Sequence, residues 1–172
     1  VPVASGDFPI VLSWPEVILA ASVGVMRNVT NLRDRRRDAH GLRSDDLGWQ
    51  HHIEGACGEC AFAKFAGLFW SGAVGNLTAD DVGPWQVRTR TRDDYQLIVH
   101  QSDPDDRRFV LVRGRCPRYA VVGWIWGRDA KRHEWWADPK GGRPAYFVPD
   151  EALTPLVKVA APSMLTAQEL RW

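Results

Sequence analysis

Lysine is scarce in this chain. Of 22 basic residues only Lys64, Lys131, Lys140 and Lys158 are lysines; the rest are arginine. Cysteine is scarcer still: three residues exclude the disulfide framework that holds small secreted domains together. A surplus of charge is missing too, because 22 basic against 21 acidic residues leave +1 over 172 residues. No whole-molecule field can gather a polyanion, so any nucleic-acid contact must come from a local patch. Long apolar runs are absent. The best, Val17 to Met26, is too short for the roughly 18–20 residues that span a bilayer, and it leads into Arg33, Arg35, Arg36 and Arg37. The start has no basic segment ahead of its apolar residues, so no secretory leader is expected. The expected setting is the cytoplasm.

What is present fits one globular domain. The apolar fraction of 45% is too high for a disordered chain. The predicted organisation is an N-terminal tail over 1–12 and a single domain over 13–172. Two excesses stand out. Arginine supplies a planar fork suited to phosphate and carboxylate. Nine tryptophans are many for 172 residues; some must be core, but Trp126, Trp135 and Trp136 lie among Arg128, Lys131, Arg132 and His133. Aromatic rings interleaved with cations suit nucleic acid. The alternative is an ordinary charged strand exit.

Ser13-Trp14-Pro15-Glu16 reads as a helix start, with Ser13 and Glu16 as a capping box and Pro15 in the first turn. Val17, Ile18, Ala21, Val25, Val29 and Leu32 follow at helical spacing. The helix then turns polar through Asp38, and Gly41 to Gly48 breaks it. A second helix is predicted over Trp49–Phe65, rich in small residues and therefore packed on both sides. Beyond Gly67 the period shortens, and strands are predicted at Trp85–Arg90, Tyr95–His100, Phe109–Arg113, Tyr119–Trp126 and Ala145–Val148. Helices followed by strands indicate an α+β fold, two N-terminal helices packed on a mixed central sheet.

Cys57-Gly58-Glu59-Cys60 invites a zinc reading, but no second cysteine pair exists to complete four ligands. Both thiols are expected to act as small apolar residues. Glu59 is different, since an acid among small and apolar residues needs a partner. At about 100° per residue, His52 falls about 20° from Glu59 around the helix, whereas Glu54 lies about 140° away and is expected to face solvent. Downstream comes Asp81-Val82-Gly83-Pro84-Trp85-Gln86-Val87-Arg88. Gln86 and Arg88 share one strand face, with Asp81 just before it across a Gly-Pro bend. An acid followed by Gln-x-Arg offers oxygen ligands for a hard cation with a positive charge beside them.

These residues resemble the PD-(D/E)xK nuclease superfamily, in which a helix Glu precedes an Asp and a (Glu/Gln)-x-Lys strand. They also resemble phage-encoded proteins sharing Gly58-Glu59-Cys60-Ala61-Phe62-Ala63-Lys64 and the stretch from Asp81 to Arg88. The resemblance spans roughly Trp49 to Trp126. It implies a restriction-endonuclease-like fold. It also implies a catalytic set of Glu59, Asp81, Gln86 and Arg88, and Mg²⁺ or Mn²⁺ held by Glu59, Asp81, Gln86 and the Val87 carbonyl. The departures are Gln for Glu and Arg for Lys, and arginine cannot give up a proton to serve as a base. The implied activity is metal-dependent hydrolysis of DNA in the host cytoplasm, with Arg128, Lys131, Arg132 and His52 as nucleic-acid contacts. The competing reading is a nuclease fold without chemistry that binds nucleic acid or a host protein, as a counter-defence factor would. A homodimer is compatible with either.

Overall fold

A computed structural model describes residues 10–34, 48–75, 80–139, 141 and 143–156. Strand β1 (Ile10–Val11) opens the described chain and pairs antiparallel with a later strand, so the supposed tail already enters the sheet, and Ile10 and Leu12 are core residues. Helix α1 (Trp14–Arg33) starts where the capping box predicts. Glu16 Oε2 accepts the Ser13 N–H at 2.6 Å, and Ser13 Oγ accepts the Glu16 N–H. The predicted polar exit through Asp38 and the break from Gly41 lie outside the described residues.

The apolar stripe of α1 behaves unexpectedly. Ile18 is 67% exposed, and Val25, Val29 and Leu32 also face outward. The buried side is Ala20, Val23, Gly24 and Asn28. Small residues win this contact because α1 lies very close to helix α2 (Gly48–Ala66). A Cβ on Gly24 would stand 2.5 Å from the Ile53 Cα. Helix α2 itself is buried continuously from Ala56 to Ala63, between α1 and the sheet.

Five further strands of the predicted pattern appear: β2 (Trp85–Arg90), β3 (Leu97–Val99), β4 (Arg108–Arg115), β5 (Arg118–Trp126) and, later, Ala145–Val148. Between them the polar connection contains a short helix α3 (Gly127–Ala130) and a strand β6 (Trp136–Ala137), which makes Ala145–Val148 strand β7. The strands form two sheets. The larger is mixed, in the order β1-β5-β4-β2, with β2 parallel to β4 in the register Val87 to Val110. The smaller is antiparallel, in the order β3-β7-β6.

The result is three layers, helices on a mixed sheet on a second sheet, and the fold is α+β. Strand β4 joins the layers. Val110 and Val112 enter the core under the helices with Phe62, Val87 and Val121. Phe109 and Leu111 point the other way, into a second core with Leu97, Val99, Ile125 and Val148. A strand buried on both faces must read as a continuous apolar run, as Phe109 to Val112 does. Strand β2 is the edge of the mixed sheet, so one side of it pairs with no strand. Among the described residues no helix is long and apolar enough to cross a membrane.

Candidate functional site

Asp81 closes the free edge of β2. Its Oδ2 accepts the Val87 N–H at 2.7 Å, a backbone donor that the parallel ladder to β4 leaves over. A tight turn makes this possible. Val82 and Trp85 bridge across Gly83-Pro84, and the Asp81 N–H donates to the Trp85 carbonyl. Burial pushes the Asp81 carboxyl up to about 7, and the neighbouring Glu59 carboxylate pushes the same way. Arg88, the Val87 N–H and Arg27 pull against that rise. The helix acid and the strand acid therefore sit close enough to feel each other across the α2–β2 contact.

Glu59 is only 6% exposed, and its partner is one the sequence reading missed. Arg27 of α1 grips it with both arms, Nη1 to Oε1 at 2.6 Å and Nη2 to Oε2 at 2.9 Å, while its Nε holds the Ala73 carbonyl. The Trp70 indole N–H adds a third bond, to Oε2 at 3.0 Å. A signal for Arg27 does exist in the sequence: it is the only charged residue between Glu16 and Arg33, placed in an apolar helix that must meet another apolar helix carrying one acid. His52, one stripe-mate of Glu59, also turns to α1, its Nε2 lying 3.2 Å from Asn31 Nδ2. It serves the helix contact rather than an open nucleic-acid surface. Glu54, expected in solvent, instead accepts the Tyr119 hydroxyl at 2.7 Å and the Cys116 N–H. A helix packed on both sides leaves few positions for solvent.

Gln86 and Arg88 share a face, as their alternation requires, but that face is turned away from α2. Val87 enters the core under the helices while Arg88 lies 4.9 Å over the Phe109 ring of the opposite core. The Gln86 amide donates to Asp80 at 2.9 Å, where Arg107 also binds. Arg88 donates to Asp103 at 3.1 Å. The three side chains expected around one cation thus divide: Asp81 and Glu59 are neighbours, and Gln86 is committed to Asp80. Among the described residues no group of three or more His, Cys, Asp or Glu could hold a metal ion. Two carboxylates are nonetheless the usual protein share of a Mg²⁺ site, which leaves the remaining positions to water and substrate oxygens. Asp81 and Glu59 fit that share in kind, with Glu59 available only if Arg27 loosens its grip.

The distal basic residues fare unevenly. Lys131 is withdrawn from ligand contact, its Nζ bonding the Gln101 and Asp103 carbonyls and Asp105 Oδ1, so it ties down the 100–105 loop. Arg128 and Arg132 are exposed and stack on Trp126 at 5.0 Å and Trp135 at 4.8 Å. A larger aromatic row was not foreseen. Trp85, Trp124 and Trp126 meet edge to face, and Arg108 lies over all three rings. Cys57 and Cys60 are buried and unbridged, as expected of small apolar residues. Burial pushes their thiols up to about 12 and about 11, far from a reactive thiolate.

Two cavities run along the free edge of β2 and share His51, Arg88, Thr89 and Arg90 in their walls. No family description matches this chain, and neither a curated protein nor a solved structure is significantly similar to it.

Proposed function

We propose that the protein hydrolyses phosphodiester bonds in DNA with Mg²⁺ or Mn²⁺, as the likeness to phage-encoded PD-(D/E)xK nucleases implies. One observation carries this reading: the buried carboxylate of α2 and the carboxylate of the turn before β2 lie close enough that each opposes the other's charge, beside the strand edge that no other strand covers. A buried acid raised in this way is typical of functional sites, where burial and a neighbouring like charge are arranged to shift a carboxyl. A divalent cation would relieve that repulsion. When bound by Asp81 and Glu59 it would supply an activated water and neutralise phosphate charge. The chain's own part is electrostatic. Arg88 points to the face away from α2 and bonds Asp103, yet its charge is felt at Asp81, so it would offset phosphate charge at that range, and a guanidinium does so without acting as a base.

The fold supports the reading through the acid-bearing helix packed on a mixed sheet and the parallel pair β2–β4. It departs from a restriction-endonuclease-like core at the crossovers: β4 and β5 join through a tight turn, and the β2-to-β4 connection carries strand β3 rather than a helix.

The second reading, a nuclease-like binding module for nucleic acid or a host protein, is favoured by the Arg27 fork on Glu59 and by Gln86 bonded to Asp80. One experiment separates them. Single-stranded, nicked and duplex DNA are incubated with wild type and Asp81→Asn in Mg²⁺ and in Mn²⁺. The nuclease reading expects cleavage by wild type only, with DNA affinity unchanged or slightly higher in the variant. A wild type that binds DNA without cutting any form, in either metal, transfers the conclusion to the binding module.

A further inference from the structure

The face of β2 that points away from the helices carries more positive charge than its surroundings use. Arg88 and Arg90 alternate onto it, and the chain returns at Arg143 to line the same cavity between β2, β3 and β7. Its volume is about 300 Å³, at the lower end of the range for ligand pockets and much larger than an inorganic phosphate needs. The opposite wall is apolar, built by Ile98 and Phe147, which are paired across β3 and β7. His51 and His100 complete the lining.

Arg88 has Asp103, but among the described residues no carboxylate pairs with Arg90 or Arg143. Arg90 instead lies 4.5 Å over the Tyr95 ring. Burial and the nearby Arg113 hold its guanidinium below the usual arginine value. The Nε atoms of Arg88 and Arg90 are buried with no hydrogen-bond partner. Buried polar groups are almost always satisfied, and an unpaired buried cation is expensive. Donors gathered around a cavity without an acceptor ask for an anionic ligand. The Phe147 wall asks that the ligand also carry a flat apolar part. We infer that this cavity binds a nucleotide, its phosphomonoester held by Arg90 and Arg143 and its base against Phe147 and Ile98. The ligand is either a free mononucleotide or the phosphorylated end of a strand. The inference does not rest on the Glu59–Asp81 chemistry, and because Arg88 borders both places the test leaves it unchanged.

Calorimetric titration of the full chain with deoxyadenosine 5′-monophosphate, inorganic phosphate and deoxyadenosine tests the site. The nucleotide is expected to bind at least tenfold tighter than either fragment. Arg143→Gln, at a half-buried position, and Arg90→Gln are each expected to weaken the nucleotide at least tenfold, roughly 1.4 kcal/mol. Phe147→Ala should reduce it to the level of inorganic phosphate. Thermal melts identify any variant that fails to fold, and Arg143→Gln then decides alone. Equal affinity for nucleotide and inorganic phosphate, or no effect of Arg143→Gln, overturns the inference. A 5′-phosphorylated oligonucleotide that competes better than its 5′-hydroxyl twin identifies a strand end as the source; equal competition by the two identifies the free nucleotide. Asp81→Asn should still bind the nucleotide. A wild type that binds the nucleotide but cleaves no form of DNA strikes the nuclease reading alone, and cleavage by a wild type that binds no nucleotide strikes this one alone.

Discussion

Replacing Asp81 by Asn should make the protein more stable at pH 8, although it removes a charged residue from the centre of the candidate site. The ordinary carboxyl value of 3.8 is displaced to about 7 in the folded chain. At about 1.4 kcal/mol for each unit of pKa, ionised Asp81 opposes folding by about 4 kcal/mol. Asp81 keeps some contact with solvent, which screens part of this, so the figure is a ceiling. The sign follows from which state holds the proton. Above pH 7 both states are ionised and the full penalty is present. As pH falls from 7 to 4 the folded state takes up a proton first and the penalty shrinks. Below pH 4 both states are protonated and it is gone.

Asn keeps an oxygen for the Val87 N–H and carries no charge, so its curve should lack this component. Half of the ceiling, about 2 kcal/mol, would raise the melting temperature at pH 8 by about 4–8 °C in a chain this long. Melting curves of both proteins at half-unit steps from pH 4 to pH 8 check this. They should converge at the acid end and separate steadily above it, whatever the histidines do, since those are common to both. Curves that run parallel, or a variant less stable at pH 8, would refute the reasoning. On the proposed metal-binding reading, Mn²⁺ held by Asp81 would have to displace the proton, and its apparent affinity would fall roughly tenfold for each pH unit below 7.

Gly58→Ala should cost about 1–3 kcal/mol or more, because the new Cβ would stand 2.0 Å from Thr89 Oγ1, and urea denaturation should show part of the loss restored by Thr89→Ala. Cys57 and Cys60 should resist a thiol reagent at pH 8 in the folded protein and react only after denaturation, while replacing both by Ser should cost on the order of 1–3 kcal/mol for each hydroxyl left unpaired.

Local rules determined much of this protein from the sequence alone. The capping box placed the start of α1 at the residue, because its hydrogen bonds involve neighbours in the chain. The strands Trp85–Arg90 and Ala145–Val148 were legible from alternation between punctuating residues, and the doubly buried β4 from its unbroken apolar run. Glu59 and Asp81 stood out as acids where an acid is costly. Their mutual closeness was an expectation carried by a resemblance. Only the tertiary structure decided where the remaining side chains are committed. Periodicity reports that a helix has an apolar stripe without saying that small residues on the other side pack tighter, and so Ile18 and Val29 face outward. Alternation puts Gln86 and Arg88 on one face without saying that a second sheet lies beneath it, drawing Arg88 to Asp103 and leaving Arg90 without a carboxylate among the described residues. Arg27 meets Glu59 across two helices that cross at Gly24. That distance along the chain is invisible to any local pattern, and it is what determines how much of the Glu59 carboxylate remains for anything else.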